Sequence, residues 1–250
     1  MDADKKSIVQ FKNVVKSFPA LGSDTEVLHD ISFKIKEGTF TILHGPSGSG
    51  KTTILNSLIG LEAPTSGQVI VGGTNVYSIN ADDRARFRGS NIGMVFQDNY
   101  WVTSLSVEEN VALPLLLIGW NKTKALLLAK QSISRVGLEK YAKYTPTLLS
   151  GGQQQRISFA RATVVRPKIL VADEPTGNLD SLSGRLIIKL LQDFNTSYGA
   201  TVILVTHNDE LLPIADNIIA LKDGRIEDNI AFGSPPKQIP KSVDIMRPKK

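Results

Sequence analysis

The chain has 250 residues, enough for one large domain or two small ones with a substantial buried core. Hydrophobic residues at 41%, charged residues at 21% and a mean hydropathy of −0.05 exclude wholesale disorder and collagen-like structure. The absence of cysteine removes disulfides, thiolate metal sites and cysteine nucleophiles, and fits a reducing compartment; three scattered histidines argue against a His-built metal centre.

The first ten residues lack the apolar stretch of a signal peptide, so no secretory leader is expected. Ile8–Phe11 with Val14–Val15, and then Leu28–Ile35, read as strands separated by a polar loop. Phe40–Leu43 is a short apolar strand that runs into a glycine-rich loop. Thr52–Ile59 follows as a helix with Ile54, Leu55, Leu58 and Ile59 on one face. Val69–Val71 and Ile92–Phe96 are further strands. Between roughly 97 and 165 the texture turns helical: Val107–Ile118, Lys122–Val136, and a third helix from near Gln153 to Val165, ended by Pro167. Strand and helix then alternate: Ile169–Ala172, Leu182–Phe194, Thr201–Val205, Glu210–Ala215, Ile218–Leu221. The most apolar window, Val111–Ile118, is too short for a membrane span, which needs about 20 apolar residues.

The order predicts an α/β fold with a mostly parallel sheet, an N-terminal antiparallel β subdomain and a helical insertion. The domain is expected over 1–232. Residues 233–250 form a basic tail with four prolines, expected to be disordered. From Ser234 onward Lys237, Lys241, Arg247, Lys249 and Lys250 face only Asp244, a net +4 of the chain's +5. The nearly neutral remainder speaks against a body that grips nucleic acid.

Gly45-Pro46-Ser47-Gly48-Ser49-Gly50-Lys51-Thr52 fits the phosphate-binding loop, with a strand before it and a helix after it. Its glycines let backbone N–H groups curl round phosphate oxygens, the helix N-terminus adds positive potential, and Lys51 supplies charge for the β- and γ-phosphates. Thr52 offers a hydroxyl to Mg²⁺, and Thr53 follows it in the same nucleotide-binding turn. The apolar strand Ile169–Ala172 ends in Asp173 and Glu174. At the carboxyl edge of a parallel sheet these face the ligand crevice, Asp173 placed for Mg²⁺ and Glu174 for polarising a water. Ser150-Gly151-Gly152-Gln153 opens a helix and forms a second anion-binding loop, for which one nucleotide on one chain has no evident use.

Leu149-Ser150-Gly151-Gly152-Gln153 resembles the signature sequence of ABC-type ATPases, and the resemblance extends over residues 7–227. It implies that the signature loop of one subunit closes over the γ-phosphate held by the phosphate loop of another. The working unit is then a homodimer using ATP and Mg²⁺. Gln97 resembles the family's Q-loop glutamine, which reaches Mg²⁺. Asn178-Leu179-Asp180 resembles its D-loop, with Asp180 at the dimer interface. His207 resembles its switch histidine, and Phe18 stands where the family places an adenine-stacking aromatic. Tyr100 and Trp101, just after Gln97, fall in the segment that lines the groove for a transmembrane permease subunit. Ala172 to Asp180, with Leu105 to Asn110, is similar to the ATPases of lipoprotein release, macrolide efflux and cell-division membrane proteins. In many of these the membrane partner does mechanical work in the envelope. The implied function is an ATP-hydrolysing subunit at the cytoplasmic face of the inner membrane, serving export or mechanotransmission.

Three other classes are open to comparison. Importer ATPases look similar over shorter stretches. A non-transport ABC machine of DNA repair would need a long coiled coil between Lys51 and Ser150, where no heptad run occurs, and a translation factor would carry two ATPase units in one chain. Another P-loop enzyme, such as a small kinase, has no need of the signature loop.

Overall fold

The computed structural model describes residues 6–20 and 23–231. The basic tail expected at 233–250 lies outside the described residues. Among them, no helix is long and apolar enough to cross a membrane.

The chain begins with two long strands, β1 (Ser7–Phe18) and β2 (Thr25–Lys36), paired antiparallel. β1 is continuous where its sequence pattern looked broken. At Asn13 the backbone turns into the left-handed region (φ 47°), and the pairing shifts register between Phe11 and Val14. The Asn13 N–H donates to Ser32 Oγ at 2.8 Å and its amide to Asp30 Oδ1 at 3.0 Å, so the irregularity is satisfied rather than left open. Next come β3 (Phe40–His44), α1 (Lys51–Leu58), β4 (Ser66–Val71) and β5 (Thr74–Asn75). The first sheet has the order β2-β1-β4-β5 and is antiparallel.

α2 (Ala81–Asn91) escaped the periodicity reading because it buries no residue and has no apolar stripe. Its signal is the cap: Asn80 accepts the Asp83 N–H at 2.9 Å, with Asp82 and Asp83 in the first turn and Arg88 in the last. After β6 (Ile92–Val95) come α3 (Val107–Leu117), α4 (Lys122–Arg135) and α5 (Gly151–Thr163), which pack Val111, Leu115, Ala129, Ile133 and Ile157 together. The chain finishes with β7 (Ile169–Asp173), α6 (Ser181–Tyr198), β8 (Thr201–Thr206), a 3₁₀ segment at Asp209–Ile214, β9 (Asn217–Lys222) and β10 (Arg225–Ala231). The last predicted helix is thus a 3₁₀ segment, and it contains Pro213. β10 was not predicted. Its turn, Asp223-Gly224, has φ of 45° and 70°, the paired positive values of a hairpin turn that Asp-Gly favours.

The second sheet runs β10-β9-β3-β8-β7-β6, parallel from β9 to β6 with β10 antiparallel at the edge. Its central strands are buried on both faces, which explains their unbroken apolar runs. Phe40, Ile42, Leu170, Ala172, Val202 and Leu204 join the core beneath α3–α6. Leu43, Ile169, Val171, Ile203 and Val205 join the core shared with α1 and the first sheet.

Asn110, fully buried in α3, secures the connection that leads from β6 into the helices. It accepts the Val102 N–H and donates to the carbonyls of Val102, Leu105 and Ser106, each at 3.0 Å. Asn110→Ala takes the side-chain partner from the Val102 N–H and the Leu105 carbonyl, while the carbonyls of Val102 and Ser106 keep the N–H groups of Leu105 and Asn110, so urea denaturation should show a loss of about 2 kcal/mol with an unchanged m-value.

Candidate functional site

β3, β8 and β7 lie side by side with the same polarity, so the segments that follow them emerge at one sheet edge. These segments build a cleft of about 540 Å³. Its wall includes Ser47, Gly48, Gly50, Lys51, Thr52 and Thr53 after β3, Asp173, Glu174 and Gly177 from β7 and beyond, His207 after β8, and Gln97 after β6.

The phosphate loop bends through Gly48 and Gly50, whose φ values of 81° and 102° lie in a region that side-chain residues rarely occupy, and Gly50 then caps α1. Gly45, Pro46 and Ser49 complete the loop without reaching the wall. Lys51 folds back into the loop, its ammonium donating to the carbonyls of Gly45 and Pro46, each at 2.7 Å. Burial pulls the Lys51 pKa down, and the charges of Glu174 and Asp173 partly offset this. Asp173 responds in the opposite direction. Burial and then the charge of Glu174 raise its pKa, against the attraction of Lys51.

Glu174 has φ of 42°, a left-handed conformation that costs a non-glycine residue strain. Its N–H donates to Val205 O at 3.0 Å, which ties the strained residue to β8. Its carboxylate accepts from the His207 N–H at 3.1 Å and from Thr206 Oγ1 at 3.4 Å, and Oε1 lies 2.6 Å from His207 Nδ1. The glutamate and the histidine therefore form one hydrogen-bonded unit, with the imidazole 69% exposed at its outer end.

The signature residues sit elsewhere. Ser150 caps α5 in a reciprocal capping box: its hydroxyl accepts the Gln153 N–H at 3.4 Å, and its own N–H donates to Gln153 Oε1 at 2.9 Å. Gly152 packs against the start of α6, where a Cβ would fall 2.5 Å from Ser183 Oγ. Asp180 caps α6 by accepting the N–H groups of Leu182 and Ser183, and these bonds lower its pKa. None of Ser150, Gly151, Gly152, Gln153 or Asp180 lines the cleft.

Phe18, at the end of β1, carries the Lys16 ammonium over its ring at 4.7 Å and is also off the cleft wall. The N-terminal sheet contributes Val27 instead, which sequence reading did not single out; a lone valine in a strand carries no signal. Tyr100 and Trp101 part company. Tyr100 is 70% exposed and borders a groove of about 540 Å³ with Phe96, Leu117, Arg86 and Arg88. Trp101 is partly buried, donates to Gln154 Oε1 at 2.7 Å and stacks on Arg161. Gln97 belongs to the cleft and not to this groove.

A family model described as ABC transporter matches residues 28–177. The lipoprotein-releasing system ATP-binding protein LolD of Syntrophus aciditrophicus is 41% identical over 219 residues, covering 88% of this chain and 98% of that protein. The macrolide export ATP-binding/permease protein MacB of Burkholderia pseudomallei is 40% identical over 219 residues, but this chain spans only 33% of its length. Among solved structures, the dimeric post-hydrolysis state of the ATP-binding cassette MJ0796, bound to ADP and Pi, superposes with a TM-score of 0.83 at 36% identity. It covers 89% of this chain and 98% of that one. The phosphate-loop cleft, the capped signature helix and these similarities together establish that the chain belongs to the ABC transporter family, as an ATP-binding and ATP-hydrolysing cassette.

Proposed function

We propose that two copies of this chain close head to tail on ATP and drive a separate membrane permease of the lipoprotein-release or macrolide-export type. One observation carries the reading: a single chain holds both halves of an ATPase site, yet the signature serine and the phosphate loop do not share a cleft. The cleft of one copy is completed by Ser150, Gly151, Gly152 and Gln153 of the other. Asp180 sits at the same interface, and Phe18 lies at the edge where the adenine stacks.

Within the cleft, Lys51 and the loop N–H groups hold the phosphates, and Lys51 exchanges its two carbonyl partners for phosphate oxygens. Among the described residues no cluster of three or more His, Cys, Asp or Glu forms a cation cage. The donor set nonetheless suits Mg²⁺, which takes few protein ligands beside phosphate oxygens. Thr52, Gln97 and the half-buried Asp173 carboxylate would hold it, and it would supply charge neutralisation at the β- and γ-phosphates. Glu174 takes the proton from the attacking water. His207 leaves its contact with Glu174 to reach the γ-phosphate, which frees the carboxylate to act as base.

The groove bordered by Phe96, Tyr100 and Leu117 receives the permease's cytoplasmic segment. Its apolar floor and the guanidinium groups of Arg86 and Arg88 suit an apolar segment with acidic residues. On this reading the dimer works at the cytoplasmic face of the membrane.

Glu174→Gln should lower steady-state ATP hydrolysis by about 100-fold or more while ATP binding persists, so that ATP traps a dimer visible by light scattering. Near-normal turnover would remove Glu174 from the base role. Ser150→Arg and Lys51→Ala should each be inactive alone. Mixed together they should regain part of the activity, because a head-to-tail pair gathers both defects into one site and leaves the other intact. Asp173→Asn removes a carboxylate that folding holds in a poorly solvated place. With its folded pKa raised, the native carboxylate weakens the fold at neutral pH, and the deficit fades as pH falls through the folded pKa towards 3.8. Without nucleotide, the variant should therefore melt higher than the native chain at pH 7, with the difference closing in acid.

A further inference from the structure

His44, the last residue of β3, is an unusual occupant for the end of a central strand. It lies in register with Thr206 of β8 and Ala220 of β9, and it directly precedes Gly45 of the phosphate loop. Its Nε2 is shut off from solvent. That nitrogen lies 2.9 Å from Asp209 Oδ1 as an ion-pair contact and has no aligned hydrogen bond among the described residues. A buried polar nitrogen without a partner is costly, so the carboxylate is its compensation.

Asp209 is the second residue after His207. The segment it opens runs back along β3 and is fixed there at its far end as well. Asp216 Oδ2 accepts the Phe40 N–H at 2.8 Å, and the Asp216 N–H donates to Phe40 O at 2.8 Å. Between the two attachments Leu211 is buried in the core. The segment that carries His207 is thus bound to the strand that carries the phosphate loop at both of that strand's ends.

Exposed ion pairs are ordinarily worth little, and the Asp209 side chain is 82% exposed. The His44 side chain is not in that position, being only 23% exposed with its nitrogen fully covered, so the contact has a fixed anchor.

We propose that Asp209 is a positioning residue for His207. Acting through His44, it holds the switch segment in register with the phosphate loop, so that the histidine side chain turns between Glu174 and the nucleotide on a fixed backbone. This rests on the reading of Glu174 and His207 as the hydrolytic pair.

The test uses the full chain with His44→Leu, Asp209→Ala, the double variant and His44→Gln, which keeps a side-chain donor near the carboxylate. Asp209→Ala leaves His44 Nε2 without its carboxylate, so melting curves monitor the folding of all four variants and kcat is compared at a temperature where each is folded. Each of His44→Leu and Asp209→Ala should lower kcat about tenfold with KM for ATP changed by less than about twofold. The double variant should be no worse than the poorer single one, and His44→Gln should keep most of the native kcat. Native kcat in either single variant, multiplied losses in the double, a loss carried by KM, or His44→Gln as slow as His44→Leu would each overturn the proposal. Glu174→Gln is assayed alongside. If it turns over normally, the hydrolytic pair is wrong and the proposal falls with it; if it is inactive while Asp209→Ala is unaffected, the tether alone is wrong.

Discussion

The parallel alignment of β3, β8 and β7 decides where the chemistry of this protein sits. His44 is level with Thr206, and Asp173 with Val205, so the three strands end within a residue or two of one another. A parallel sheet covered on both faces has no room for charge in its interior. Its carboxyl edge is the place where Lys51, Asp173, Glu174 and His207 can meet in a cleft. The two-sided core that flattens the sequence pattern of these strands therefore also concentrates their polar residues at one end.

That concentration is electrostatically uncomfortable, and the structure shows the discomfort. The Lys51 pKa is drawn down and that of Asp173 pushed up by burial, and each of the two groups moderates the other. Glu174 adds backbone strain, worth about 1–3 kcal/mol at such positions. The bond from its N–H to Val205 O, and those its carboxylate accepts after β8, oppose that strain. On the proposed reading, a phosphate chain with its counter-ion would relieve the same imbalance, because it would supply negative charge to Lys51 and the loop N–H groups and positive charge to the carboxylates.

The helices between β6 and β7 are fastened to this edge through one short segment. Arg161 of α5 donates to the carbonyls of Tyr100 and Asn99, and its guanidinium lies 4.5 Å over the Trp101 ring. Trp101 in turn donates to Gln154 of the same helix. Burial lowers the Arg161 pKa to about 10. Gln97 stands at one end of the segment, in the cleft, and Ser150 caps the start of α5. The cleft and the signature helix are therefore connected through a chain of side-chain contacts.

Much of this was legible in the sequence because local chemistry fixed it. The phosphate loop needs its glycines and lysine whatever the surroundings, and Ser150 opens its helix by hydrogen bonds within three residues. The apolar runs of β3, β7 and β8 reveal strands buried on both faces. The sequence misled where an element is shaped by something other than a buried face. α2 lies on the surface without a stripe, β1 passes through a bulge, and the stretch after His207 closes into a 3₁₀ segment around Pro213. Only the tertiary structure decided that Val27 lines the cleft, that Trp101 belongs to the α5 junction, and that His44 meets Asp209. Each of these is a contact between residues distant in the chain, set by strand order and helix packing, and neither leaves a periodic trace in a single sequence.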